Sequence, residues 1–183
     1  MGLPLKALLR WTVLALLLAW QPLAASATAT AVTEYAVKSA LLLKLTRFVY
    51  LPTEQEDRPR HLCILGQNPF GDTLQQLNQA SAPDQQVELV FLSATEQAPG
   101  CNYVFISQSE RRRLGSILRQ LDGLPLVTIS DLRGFARNGG MVEFALTNEQ
   151  GSQLNILINR KTASRQGITF NAQLLRLATL VNE

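Results

Sequence analysis

The chain has 183 residues, of which 46% are hydrophobic and 17% charged, with a formal net charge of +3. That balance fits one folded domain with a substantial core and excludes a disordered or collagen-like chain. The basic excess does not mark a nucleic-acid binder, because Lys6 and Arg10 lie in an N-terminal segment with the form of a removable signal, and without them the charge is +1.

Lys6 and Arg10 form a positive start, Trp11 to Trp20 is unbroken and apolar, and Ala25-Ser26-Ala27 is a small-residue cleavage site. The apolar stretch is shorter than the ~20 residues a membrane span needs, and Pro22 follows it. Residues 1–27 are therefore expected to be a signal peptide, and the mature domain to be 28–183, in a periplasm-like space. No cysteine lies near the cleavage site to carry a lipid.

From Val32 to Tyr50 there is no Gly or Pro, and Pro52 closes the segment, which predicts a helix of about five turns. Its apolar surface is wider than one core-facing stripe requires. Either the helix is buried within its own domain, or a second face, carrying Tyr35, Leu42, Leu43, Val49 and Tyr50, meets another protomer or a partner.

His61 to Leu65 reads as a buried strand, and Phe70 to Ala80 as a short helix with apolar residues at Leu74 and Leu77. Val87 to Leu92 and Cys101 to Ile106 are further strands. Ser107 to Gly123 is a helix, with Leu114, Ile117, Leu118 and Leu121 at helical spacing. Leu126 to Ile129 is a fourth strand. This alternation predicts a single α/β domain with a mostly parallel sheet flanked by helices. Met141 to Leu146 and Leu154 to Ile158 then read as an antiparallel hairpin joined through Asn148 to Gly151, and a helix from Asn171 to Val181 closes the chain.

Cys63 and Cys101 are the only cysteines. An even count behind an export signal predicts one disulfide, placed at the N-terminal ends of two neighbouring strands. A redox-active pair would more naturally be a C-x-x-C. A zinc site is disfavoured, because His61 is the only histidine and the spacing is wrong for metal ligands.

Several segments, in order, carry a resemblance. They are Glu34-Tyr35-Ala36-Val37-Lys38, Phe48-Val49, Cys63-Ile64-Leu65-Gly66 with Asn68-Pro69-Phe70-Gly71, and Cys101 before Val104-Phe105-Ile106-Ser107. Val127-Thr128-Ile129-Ser130-Asp131, Phe135, Gly139-Gly140-Met141-Val142, Ile156-Leu157-Ile158-Asn159 and Gln173-Leu174-Leu175-Arg176-Leu177-Ala178 follow. Together they resemble the YfiR family across nearly all of the mature chain. The resemblance implies a small periplasmic α/β protein, often dimeric, that restrains an inner-membrane diguanylate cyclase by binding its periplasmic portion. It also implies that an outer-membrane lipoprotein can sequester the regulator. The chain departs from relatives at Leu51, Leu41, Leu43 and Leu45, where aromatics are frequent. It also lacks a second cysteine pair found in some of them, so redox control through such a pair does not carry over.

The strand-to-helix corners are the candidate ligand positions. Asn68, Phe70 and Gly71 form one, Ser107 and Ser109 another, and Ser130 and Asp131 end the fourth strand. Together they would mark the carboxyl edge of the sheet, where open α/β sheets bind ligands. Each corner also has a plainer account: a tight turn with Phe70 packed inward, and Ser107 or Ser109 capping a helix. Gly139-Gly140 predicts a positive φ or a close backbone approach, and Arg111-Arg112-Arg113 a solvated face. No catalytic motif is present, and no cofactor is implied. The expected function is repression of a diguanylate cyclase by protein–protein contact; the alternative is a stand-alone periplasmic small-ligand-binding protein.

Overall fold

The computed structural model describes residues 25–52, 60–146 and 154–181. The chain divides after Glu34 into two units, and the folded domain is the second, Tyr35–Glu183. The charged and apolar parts of the expected signal peptide, and the Asn148 to Gly151 connection, lie outside the described residues. Among the described residues, no helix is long and apolar enough to cross a membrane.

The elements are α1 (Ala25–Leu45), β1 (Val49–Tyr50), β2 (His61–Leu65), α2 (Thr73–Ala80), β3 (Glu88–Leu92), β4 (Tyr103–Ile106) and α3 (Leu114–Leu121). They continue with β5 (Val127–Ser130), β6 (Val142–Leu146), β7 (Leu154–Ile158), α4 (Arg160–Arg165), β8 (Thr169–Phe170), α5 (Ala172–Leu177) and β9 (Thr179–Leu180). The main sheet has seven strands in the order β3-β2-β4-β5-β6-β7-β9. It is parallel from β3 through β6, β7 runs antiparallel to β6, and β9 is parallel to β7. The α/β class, the parallel sheet and the C-terminal hairpin all agree with the sequence pattern.

Both faces of the sheet are covered, so its central strands are apolar without interruption. Leu62, Ile64, Tyr103, Phe105, Val127 and Ile129 belong to one buried layer, with Leu42, Leu45, Phe70 and Leu74 from the helices and the turn before α2. Cys63, Leu65, Val104 and Ile106 belong to the other, with Ile117 and Leu121 of α3. The alternation along β2 and β4 is the two-residue period of a strand.

Several predicted boundaries shift. The first helix ends at Leu45, not Tyr50, because Thr46 turns back: its hydroxyl donates to Leu43 O at 2.8 Å, while its own carbonyl accepts from Tyr103 Oη at 2.9 Å. Val49 and Tyr50 then pair with Phe170 and Thr169 as a two-stranded antiparallel ribbon. The expected closing helix stops at Leu177, and Thr179 and Leu180 add a short strand beside β7. The helix expected from Ser107 begins as a 3-10 segment, Gln108–Arg113, before α3.

Cys63 and Cys101 are bonded, with Cα atoms 6.0 Å apart and a sequence separation of 38. Cys63 sits in the middle of β2, whereas Cys101 lies just before β4. The bridge therefore ties the centre of one strand to the entrance of its parallel neighbour, and not the two strand starts to each other. A loop of that length is worth about 4 kcal/mol in the chain-entropy model. Cys63→Ser and Cys101→Ser are each expected to lower Tm by a similar amount, about 8–16 °C, and the double variant by no more. Differential scanning calorimetry of the three variants measures this.

Candidate functional site

In the five parallel strands, β2 is flanked by β3 on one side and β4 on the other, so the chain order reverses between β2 and β4. The carboxyl ends of those two strands are where a sheet of this kind opens a crevice. Here the crevice is partly filled by its own side chains. Gly66 follows β2 at φ +92°, and a Cβ there would collide with the hydroxyls of Ser107 and Ser109 and approach Glu110. Only glycine permits both this backbone conformation and this approach. Ser107 and Ser109 hydroxyls lie 2.7 Å apart, and Ser109 Oγ accepts from Gln67 N–H at 3.0 Å. Neither hydroxyl caps the following 3-10 segment, so the capping expectation gives way to this bridge between the two strand ends.

Ser130, at the end of β5, is wholly buried; its hydroxyl donates to Ile106 O at 2.6 Å and accepts from Leu132 N–H at 3.1 Å. Asp131 follows and is the most connected group of the edge. Lys38 Nζ lies 2.7 Å from Asp131 Oδ2, with both side chains more than nine-tenths buried. Tyr35 Oη donates to the same oxygen at 2.9 Å, and Gln108 Nε2 donates to Oδ1 at 3.1 Å. Lys38 also lies 4.5 Å from the centroid of the Tyr35 ring, a cation–π distance. The expected ligand-facing carboxylate is thus the partner of a lysine in α1.

The Asn68 corner is a closed turn. Asn68 Oδ1 accepts from Phe70 N–H at 3.0 Å and its amide donates to Gly71 O at 3.1 Å, which occupies the groups that an anion would need. Phe70 packs inward, edge-on to Tyr35 and Phe105 with centroids 5.7 and 4.8 Å away. Gly71 is exposed at φ +53°. Of the seven predicted ligand positions, Ser109 lines an open depression among the described residues. That depression, of about 500 Å³, is bounded by Gly66, Gln67, Phe91, Leu92, Ser93, Ser109 and Glu110. Glu110 belongs to the same corner as Ser107 and Ser109, whereas Gln67 and Phe91 were absent from the sequence-based site; an aromatic near the end of the Val87–Leu92 run is their trace in the sequence.

Glu143 was missed as well. It is buried in β6, and its two oxygens accept from Gly134 N–H at 2.9 Å and Ala136 N–H at 3.0 Å, fixing the segment after β5. A lone carboxylate within Met141-Val142-Glu143-Phe144 is its trace in the sequence. In the same segment Gly139 has φ +105°, and a Cβ on Gly140 would run into the Phe135 ring, so both expected roles of this pair are present. Arg111, Arg112 and Arg113 are exposed, as expected of a solvated face, with Arg113 Nε donating to Glu110 at 3.0 Å.

Of the predicted interface residues, Leu42, Leu43 and Val49 are buried in their own core, and Tyr35 is spent on Phe70 and Asp131. Only Tyr50 is exposed, at 51%. Leu42, Leu43 and Leu45 of the first helix join the layer that holds Leu62, Ile64, Phe105 and Phe70, whereas Val37 on the same helix is exposed.

Residues 35–179 match the sequence profile described as YfiR/HmsC-like. The chain belongs to the YfiR/HmsC-like family. No curated protein matches it. Two solved structures share the fold at low identity. One is a conserved domain protein from Vibrio cholerae O1 biovar El Tor, at 12% identity and a TM-score of 0.58, with 81% of this chain and 60% of that one covered. The other is the ABC domain from Streptococcus pneumonia in complex with L-Trp, at 11% identity and a TM-score of 0.56, with 78% and 60% covered. The YfiR/HmsC-like chain therefore spans about 60% of the length of each.

Asp131→Ala would remove the buried carboxylate that Lys38, Tyr35 and Gln108 share and is expected to cost about 3–5 kcal/mol in urea unfolding. Replacing both partners, Lys38→Met with Asp131→Leu, removes both buried charges and is expected to recover most of that loss, remaining about 1–3 kcal/mol below the native chain because Tyr35 and Gln108 lose their acceptor.

Proposed function

We propose that the protein is a periplasmic regulator that acts by protein–protein contact, holding the periplasmic portion of an inner-membrane diguanylate cyclase in its inactive arrangement. One observation carries this reading: the YfiR/HmsC-like match runs from residue 35 to 179, almost the whole folded domain, and the family is one of periplasmic regulators. The state of the carboxyl edge supports it. Asp131, Ser130 and Ser107 hold the domain's own elements together, so the chemistry available to a partner lies on outer surfaces. The disulfide fits an oxidising compartment. Repression would be a population shift, with the regulator binding the inactive cyclase better than the active one. Release would follow capture of the regulator by another protein, such as an outer-membrane lipoprotein. The regulator would work as a homodimer.

A second reading, a stand-alone binding protein for a small ligand, is favoured by the open depression beside Phe91. The ligand-bound relative of similar fold, in complex with L-Trp, leans the same way. Deleting the gene separates the two. Repression predicts a rise in cellular cyclic-di-GMP and in surface adhesion, reversed by complementation; unchanged cyclic-di-GMP would reject it in favour of the second.

A further inference from the structure

The two edges of the main sheet are unlike. β9 ends one side with two residues, the short form by which edges are commonly blunted. β3 ends the other with five, Glu88-Leu89-Val90-Phe91-Leu92, and has no proline, glycine or lysine. Its direction of bonding follows from two contacts. Glu88 N–H donates to Arg60 O, and Leu92 O accepts from Gly66 N–H, so Glu88, Val90 and Leu92 turn their backbone groups towards β2. Val87, Leu89, Phe91 and Ser93 therefore turn theirs outward, since the direction alternates along a strand.

The outer two of these four are already occupied. Asn78 of α2 bonds both backbone groups of Val87, accepting from its N–H at 3.0 Å and donating to its carbonyl at 2.8 Å. Gln97 Oε1 accepts from Ser93 N–H at 3.0 Å. The N–H and C=O of Leu89 and Phe91 have no partner among the described residues. The result is a window of two residues, closed at each end by a side chain, with the Phe91 ring 57% exposed beside it.

We propose that this window pairs with the same window of a second copy, β3 against β3 in antiparallel sense about a two-fold axis through Val90. The inference rests on the homodimer put forward above and names its interface. Outward-facing residues must pair with one another, which leaves three two-fold registers, centred on Leu89, Val90 or Phe91. Centring on Leu89 sets Phe91 opposite Val87, and centring on Phe91 sets Leu89 opposite Ser93; each demands groups that Asn78 or Gln97 already holds. Centring on Val90 sets Leu89 opposite the partner's Phe91 twice, and all four open groups of each chain are bonded in hydrogen-bonded pairs. The charges agree with this register. Glu88 falls opposite Leu92, and the two Glu88 residues lie about 14 Å apart along the strands, beyond the screening length at physiological salt. Leu89 and Phe91 share one face of the strand, so each apolar side chain meets an apolar one across the axis. The two sheets join into one, and the interface is isologous and closed.

Proline is tolerated at an edge position whose N–H faces away from the sheet, so Phe91→Pro should fold while losing a donor at the axis. Phe91→Lys, which leaves the backbone intact, is the second variant. Analytical ultracentrifugation of the natively processed protein should show a concentration-dependent dimer, with both variants monomeric and their circular dichroism unchanged. Hydrogen exchange should show the Leu89 and Phe91 amides protected in the dimer and exposed on dilution. A native chain that is monomeric at every concentration would overturn the proposal. So would a dimer that persists in both variants, or amides protected only when the cyclase segment is added. A monomeric variant that still lowers cyclic-di-GMP would leave the repression reading intact, whereas an intact dimer with no effect on cyclic-di-GMP would fault that reading alone.

Discussion

The ion pair between Lys38 and Asp131 decides how the first helix meets the sheet. Burying two charges is costly, and the cost is offset only where geometry and further hydrogen bonds satisfy both groups. Asp131 has those bonds: Lys38 and Tyr35 on one oxygen and Gln108 on the other. Tyr35 and Lys38 lie three residues apart and so face the same way on the helix. Asp131 and Gln108 come from the carboxyl ends of β5 and β4. A helix that slid or rotated on the sheet would leave a charge buried without its partner, so the pair holds α1 in one register. Phe70 stacks against Tyr35 and Phe105 in the same layer, and that packing depends on the register being kept.

The consequence for function is that Ser107, Ser130 and Asp131, at the end of the sheet where α/β proteins commonly bind ligands, are committed to the fold, while Gly66 and Ser109 border an open depression there. Gly66 is pressed by two serine hydroxyls, Ser130 bridges two strand ends, and Glu143 holds the backbone of the following segment. What the domain offers outward is a shallow depression, a row of arginines and the open window of β3. Under the proposed reading these are the surfaces that a partner protein would meet. The disulfide fixes β2 to the start of β4 at the centre of this arrangement.

Much of this was legible in the sequence, where local pattern sufficed. The apolar runs of β2, β4 and β5 separated by helical periods specify a parallel sheet, and the paired cysteines, the inward Phe70 and the Gly139-Gly140 turn carry their own signals. The two-residue strands β1, β8 and β9 have no such signal, because their pairing is decided by contacts between Val49 and Phe170 and between Leu157 and Thr179, far apart in sequence. The Lys38–Asp131 pair spans 93 residues and was equally hidden. Leu42, Leu43 and Val49 were misplaced for a different reason. A helix that is apolar on several sides reads the same whether a partner or its own domain covers it, and only the position of Phe70 and β4 distinguishes the two cases.

The central claim, regulation by direct contact with a membrane cyclase, is tested most directly by binding. The natively processed protein should be measured by isothermal titration calorimetry against the isolated periplasmic portion of a membrane diguanylate cyclase from the same organism. The account predicts saturable binding that survives oxidising conditions, in which the Cys63–Cys101 bridge is intact. Absence of binding to that segment, with both proteins folded, would contradict it.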